Sequence, residues 1–534
     1  MVAKLCHRCR GSRVETEDQT ITCVALECGP CFPCREREII RQKIEQLEEE
    51  ITKLKAKHSA LGSRANEIHD PFIHKLPPEI GFHIFRLSLP TLDFEDFQLW
   101  DKAAAFTRVL RLGAVCRKWR ELAWATPDLW DTLYVRISPL QGHALVQWLP
   151  GLVLQWLSRS GMLPLTIFFS YSERSEESDS YDSSDESTLE PVADLVIEVI
   201  NLHSGRWQNL HLDVGGDIPE RFCGSIQPNQ LLFLELRIDG RRLPTPKFIM
   251  KSKPFPTQLS LTNFPPTRID IGWDNVTRAT LCDLTADECL EVLRRTPAVE
   301  YCLAKLWHDA TVDFGTTILP HLRSLDISSG GPNFLDAINV PSLEEWIYHT
   351  CGNPLPVTAM LSLLQRSGCC LKILNLENIN APSQYLSNLF QAMPSLERLQ
   401  LHFCLVDKHA DGVMNNVLAQ IFYSPPGDNT LPSEDASHKS FLPCLQFMEF
   451  TTSSVRAPFF WNHIPQLYRQ GHRRSLTLKS AAKESHISYK TALELLALID
   501  EGVDLQILDE TTEGGGDFLE NFRKRISRKR VRGL

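Results

Sequence analysis

The chain has 534 residues, enough for two or more domains, and its 43% hydrophobic and 23% charged residues are the balance of a soluble globular protein. A formal net charge of −10 argues against nucleic acid as the partner of the whole chain. No membrane span is expected, because the most apolar window, Leu145 to Leu157, is short and broken by Gln, Pro and Gly; the start MVAKLCHRCR also lacks the apolar core of a secretory signal. The expected location is therefore the cytoplasm, the nucleus or both, where thiols stay reduced and disulfides are rare.

Taken in chain order, the first feature is a cysteine cluster. Cys6 and Cys9 form one C-x-x-C pair, and Cys28, Cys31 and Cys34 form two overlapping ones. Two such pairs can present four thiolates to one tetrahedral zinc, and Cys6, Cys9, Cys31 and Cys34 give the symmetric pair-loop-pair set. The competing reading is a cysteine-rich tail with no metal. No other cofactor is expected.

From Arg35 to Leu61 the pattern predicts a long polar helix with one apolar seam. Ile40, Leu47, Leu54 and Leu61 take one seam position, and Ile44, Ile51 and His58 the other. The alternating steps of four and three are a heptad, and Ile with Leu in these places favours a parallel pair. The helix either self-associates through residues 40–61 or lies against the segment that follows. Gly62 is expected to end it, and Ser63 to Pro71 to form a linker.

Leu76 to Trp130 is the most informative stretch. It opens Leu76-Pro77-Pro78-Glu79-Ile80, a helix start in which proline is tolerated because first-turn N–H groups lack intrahelical partners. Ile84-Phe85 follow one turn later, with Leu87 on the same spacing. Val115, Cys116, Trp119, Leu122 and Ala123 are expected on one face of a second helix, which Thr126-Pro127 stops ahead of Leu129-Trp130. With all four parts in order, this stretch resembles an F-box. The stretch between Leu92 and Arg108 is longer than the compact form of that family, as is common in its fungal branch. The resemblance implies docking of a Skp-type adaptor, and through it a cullin-based ubiquitin ligase. The contact set it implies is Leu76, Pro77, Ile80, Ile84, Phe85, Val115, Trp119 and Leu122. The alternative is a self-contained helical subdomain in which these residues are only core.

From Leu165 a strand-like motif close to Leu-x-x-Leu-x-Leu recurs, as in LLFLELRI at Leu231, LRSLDI at Leu322, LKILNL at Leu371, LERLQL at Leu396 and LQIL at Leu505. The usual step of about 21 to 29 residues is that of leucine-rich repeats. Helical patterns lie between strands, among them Pro191 to His203, Thr285 to Thr296, Val357 to Ser367, Val413 to Phe422 and Tyr489 to Asp500. One strand and one helix cannot bury their own core, but stacked neighbours can, which predicts a solenoid. The asparagine of the repeat consensus is mostly absent, so irregular turns are expected; another kind of α/β sheet domain is the alternative. Ser170 to Glu190 is acidic and serine-rich and is expected to be a disordered loop, as is Ser424 to Ser440. The final run, with Arg523, Lys524, Arg525, Arg528, Lys529, Arg530 and Arg532, reads as an import signal, a contact for acidic partners or a plain charged tail.

No nucleophile, phosphate-binding or metalloprotease motif is present, so no catalytic residue is expected. The expected fold is mixed. It comprises a Cys-rich segment (1–37), a coiled-coil helix (38–62), a small all-α F-box bundle (70–135) and an α/β leucine-rich-repeat-like solenoid (140–515). Disordered inserts at 170–190 and 424–440 interrupt the solenoid, and a basic tail (516–534) follows it. The expected function is a non-catalytic substrate-recognition subunit of a ubiquitin ligase that brings a target protein to the enzyme. The alternative is a nuclear scaffold assembled through the heptad helix and the Cys-rich segment.

Overall fold

A computed structural model of the chain describes residues 32–69, 76–89, 109–138, 143–172, 189–215, 217–238, 246–308, 315–379, 383–403, 420, 441–452, 464–469, 477–482, 487–509 and 517–531. Its contacts divide into two units, Met1–Leu129 and Trp130–Leu534. Cys6, Cys9 and Cys31, the two expected loops over 173–188 and 424–440, and all but Gln420 of the helix expected at 413–422 lie outside the described residues.

In the first unit, helix α1 spans Phe32–His69 and begins at the backbone of Cys34's neighbours, so Cys34 lies in its first turn. It does not stop at Gly62. A single helical glycine costs only about 1 kcal/mol relative to alanine, and no proline follows until Pro71, so the helix runs on. Every side chain described along it is exposed. Helix α2 spans Pro78–Ser88, with the N–H groups of Ile80 and Gly81 donating to the Pro77 carbonyl at 3.0 and 3.2 Å. Residues 109–115 are helical, Cys116 is extended, and helix α3 spans Arg117–Trp124. The single helical face expected through Val115 and Trp119 is thus broken into two helices. The cause is a cap: the Trp119 N–H donates to Cys116 Sγ at 3.4 Å, which a continuous helix would not allow.

The second unit is built on a sheet of fourteen strands. In chain order they are β1 (Thr132–Ile137), β2 (Leu165–Tyr171), β3 (Trp207–Val214), β4 (Phe233–Arg237), β5 (Gln258–Thr262), β6 (Arg278–Thr285) and β7 (Tyr301–His308). There follow β8 (Ser324–Ser328), β9 (Glu345–His349), β10 (Ile373–Ile379), β11 (Arg398–Phe403), β12 (Phe447–Thr452), β13 (Thr477–Ala482) and β14 (Leu505–Asp509). Each strand pairs in parallel with the next, so spatial order and chain order coincide. Parallel neighbours need a crossover. Several crossovers carry a helix: α4 (His143–Arg159), α5 (Leu189–Leu202), α6 (Ala286–Arg295), α7 (Val357–Ser367), α8 (Ser383–Gln391) and α9 (Tyr489–Asp500).

Alternation along each strand decides its two faces. In β8, Leu325 and Ile327 are buried while Ser324, Asp326 and Ser328 are half-buried on the opposite face, and β9 repeats this with Trp346 and Tyr348. The buried faces and the helices enclose one continuous apolar core from Leu133 to Leu519. Strand β2 runs through Tyr171, and α5 starts at Leu189, so both ends of the expected acidic loop 170–190 are structured. The apolar segment at Leu145 to Leu157 is helix α4, which contains Pro150 and is fixed to β1 by the Trp156 Nε1–H bond to the Thr132 carbonyl at 3.0 Å.

Two devices recur between neighbouring turns of this unit. The first is an arginine that donates to carbonyls of the preceding crossover. Arg206 reaches the carbonyls of Leu157, Gly161 and Leu163 at the end of α4, and Arg295 reaches Pro266. Arg366 holds Leu335 and Ile338 at 2.8 and 2.9 Å. The second is a left-handed residue: Asn263 (φ 56°) and Ser329 (φ 58°) directly follow β5 and β8, and Asp283 (φ 55°) and Asn378 (φ 54°) sit at register shifts near the ends of β6 and β10. Asn and Asp accept this backbone better than most residues, and Ser stands in at one position. The C-terminal basic run lies on helix α10 (Phe518–Val531), whose Phe518 and Leu519 are buried in the core and whose Phe522 and Ile526 pack against it.

Candidate functional site

Two surfaces are candidates for a functional site, one in each unit. The first is helix α2, which has two apolar faces. At 100° per residue, Ile80, Ile84 and Leu87 fall on one side, and Gly81 and Phe85 on another. The inner side is closed: Phe85 is 1% exposed, and its ring lies 4.9 Å from that of Trp119 on α3. The outer side is open, with Ile80 46%, Ile84 38% and Leu87 70% exposed and Leu76 continuing the line one turn earlier. Arg86 pairs with Asp128 at 3.5 Å, and Arg117 with Glu121 at 3.1 Å, at the edges of the helical unit. Arg120 Nε donates to the Gly113 carbonyl at 2.8 Å and so ties residues 109–115 to α3 across the Cys116 break.

Of the residues the resemblance selected, Leu76, Pro77, Ile80, Ile84 and Val115 are exposed, and Trp119 and Leu122 are half-buried. Phe85 is different. It is an internal residue of the helical unit and has no surface to offer a partner, because helical spacing places it on the side that packs against α3. Leu87, with the largest exposure on α2, was left out of that set although its i+3 and i+7 relation to Ile84 and Ile80 marks it. Leu110 and Trp124 are also exposed. Of the four cysteines selected for zinc, only Cys34 falls within the described residues.

The second surface is the face of the sheet away from the helices. Its early strands carry an aromatic row: Phe168 stacks on His211 with centroids 4.0 Å apart, and Phe233 lies 4.7 Å further. His211 Nδ1 meets Glu235 at 2.6 Å. Its middle strands are charged. His349 sits between two carboxylates on neighbouring strands, with Asp326 3.4 Å from Nε2 and Glu377 2.7 Å from Nδ1. Asp326 and then Glu377 hold the His349 pKa above its ordinary value, outweighing burial, which lowers it. Further on, Glu449 accepts from Lys479 at 2.9 Å and Gln400 at 2.8 Å.

At the carboxyl ends of β6 to β9 lies a cleft of about 790 Å³, lined among others by Asp283, Lys305, Trp307, Pro332, Asn353 and Pro354. Trp307 is more than half exposed there, and left-handed Asp283 and Ser329 shape the rim. Aromatic, cationic and anionic groups at one concave place suit recognition of a polypeptide. They do not assemble a nucleophile with its base. Burial pushes the half-buried Cys282 thiol up to about 11 and the buried Cys302 thiol to about 12, far from ionising at neutral pH. Cys369 and Cys370 lie just ahead of strand β10, and Cys370 is exposed.

Comparison with known families accounts for the first surface. Residues 73–136 match the F-box-like family. This supports an F-box protein, a class whose domains generally bind Skp-type adaptors and whose members are typically non-catalytic adaptors of ubiquitin ligases. No curated protein matches the chain significantly.

Proposed function

We propose that this chain is the substrate-recognition subunit of a Skp/cullin/F-box-type ubiquitin ligase. The outer line of α2, Ile80, Ile84 and Leu87, with Leu76 just ahead of the helix, docks the adaptor, and Val115 adds to the contact. The observation that carries this reading is the second apolar face of α2. A helix that has already buried Phe85 still displays a row of large aliphatic side chains, and such rows on a small unit mark a protein interface. The fourteen-stranded unit is read as a leucine-rich-repeat solenoid, in which each strand and its crossover stack on the next. Its strand face and the cleft beside Trp307 hold the target protein. The chain then acts by proximity, bringing target lysines to a ubiquitin carried by the ligase, with the chemistry supplied in trans.

The test is to mix the full-length chain with a purified Skp-type adaptor. A complex that co-elutes on size exclusion and is lost in Ile80→Asp/Ile84→Asp is expected. Two proteins that elute separately at micromolar concentrations would reject the reading. Proximity labelling in cells tests the second half: Lys305→Glu/Trp307→Ala should lose labelled proteins while adaptor binding is retained. An unchanged labelled set would remove the cleft from target recognition.

A further inference from the structure

Because α1 runs through Gly62 to His69, the heptad does not stop at Leu61. Ala65 and Ile68 fall on the next two seam positions. From Ile40 on, the seam is Ile40, Leu47, Leu54, Leu61 and Ile68 at d, with Ile44, Ile51, His58 and Ala65 at a; Arg37 precedes them at a, in the first turns of the helix. At 1.5 Å per residue the 38-residue helix is about 57 Å long. All nine seam side chains are exposed, and none belongs to the buried core of the chain. A free helix that leaves such a seam in water lacks the packing that gives most helices their stability.

We propose that α1 is one half of a parallel, in-register coiled coil whose other half is a second copy of this chain. The choice of occupant comes from the flanking charges. In a parallel pair, each g residue meets the e residue five positions on in the other copy. Here the first three such pairs are Glu36 with Arg41, Lys43 with Glu48, and Glu50 with Lys55, while the last two, Lys57 with Gly62 and Arg64 with His69, add no attraction. The first three are attractive, they alternate in sign, and symmetry doubles each. A helix laid on an arbitrary partner has no reason to be complementary to itself. Isoleucine at two a positions and leucine at the three central d positions favour two strands; the isoleucines at d, Ile40 and Ile68, stand only at the two ends of the seam. The charges now engaged within one helix, Arg41 with Glu38 at 2.6 Å and Lys53 with Glu49 at 2.7 Å, are exposed; Arg41 can turn to the other copy, while Lys53 and Glu49 lie outside the seam and stabilise the helix itself. This inference is independent of adaptor docking, which uses α2. Its consequence for a ligase subunit is that one assembly carries two docking faces and two target surfaces, so that targets with repeated binding sites gain in avidity.

The experiment is sedimentation of the full-length chain from sub-micromolar to tens of micromolar. The expected result is a species of twice the 60.7 kDa chain mass. Leu47→Asp/Leu54→Asp should leave only monomer while the melting of the sheet unit is unchanged. Glu50→Lys should weaken the dimer about fivefold, because it sets like charges together twice. Glu50→Lys/Lys55→Glu should restore it. An antiparallel pair with Ile51 opposite Leu54 would instead set Glu50 against Lys57 and Lys55 against Glu48, so there the double exchange would be weaker still. A monomer at every concentration, a dimer indifferent to Leu47→Asp/Leu54→Asp, or a double exchange weaker than Glu50→Lys alone would each overturn the proposal.

Discussion

Ile84 and Phe85 are adjacent in sequence, yet one is open to solvent and the other is packed inside, which makes them a sharp test of the docking surface. Burying a large aliphatic side chain fully is worth about 1.5–3 kcal/mol. With 38% of Ile84 still exposed, the share left for a partner is roughly 0.6–1.1 kcal/mol. Ile84→Asp removes that share and also places an unpaired carboxylate in the interface, a cost of about 3–5 kcal/mol. Adaptor affinity should therefore fall by about a thousandfold or more. Stability should change by no more than about 0.5 kcal/mol, because the site is on the helix surface. Phe85→Ala should do the reverse. It empties the contact with Trp119 and should destabilise the helical unit by about 3–5 kcal/mol, weakening docking only through the unfolded fraction. The assay is titration calorimetry against the adaptor beside urea unfolding of each variant. An Ile84→Asp chain that binds within threefold of the parent would refute the assignment of the open face. So would one that unfolds as readily as Phe85→Ala.

Three further outcomes are expected. Arg366→Ala should cost about 2–3 kcal/mol, since it orphans two carbonyls of the preceding crossover; Arg366→Lys should not rescue it, because an ammonium lacks the planar fork, and urea midpoints will tell. His349 has a folded pKa above its unfolded value, so its contribution is fully present below about pH 6.5 and fades as pH rises through the folded pKa. The fall in stability between pH 6 and pH 8.5 should shrink in His349→Gln, and a fall of the same size would remove this ring as its source. Gly62→Ala should raise the melting of α1, because a methyl there meets nothing within 4 Å and alanine is favoured over helical glycine by about 0.5–1 kcal/mol.

What the sequence made legible was whatever repeats with a fixed period. The strands from Leu165 onward were readable because a motif close to Leu-x-x-Leu-x-Leu recurs at similar steps, and α7 and α9 carry clean 3.6-residue faces. Strand β1 was missed because Thr132–Ile137 alternates through Tyr and Arg and follows directly on the Leu129-Trp130 motif. Helix α4 was hidden by Pro150 and by apolar residues on every side, which blur its period. The break at Cys116 had no glycine or proline to announce it; only a thiol in the capping place marks it, and cysteine is a weak signal for a cap. On α2 the helical wheel showed two apolar stripes, but only packing against α3 decides which is internal. That is why Phe85 was grouped with its outward neighbours.

Helix α10 has a consequence beyond the charges on it. A parallel sheet assembled strand by strand has two terminal edges, and each is a row of backbone donors and acceptors ready to recruit a foreign strand. At the last of these, Leu508 forms an antiparallel bridge with Asp517, and the aromatic side of α10 then folds over the end. A chain cut before residue 517 would lose both that cover and two core side chains, Phe518 and Leu519, and would present its last strand edge to foreign strands.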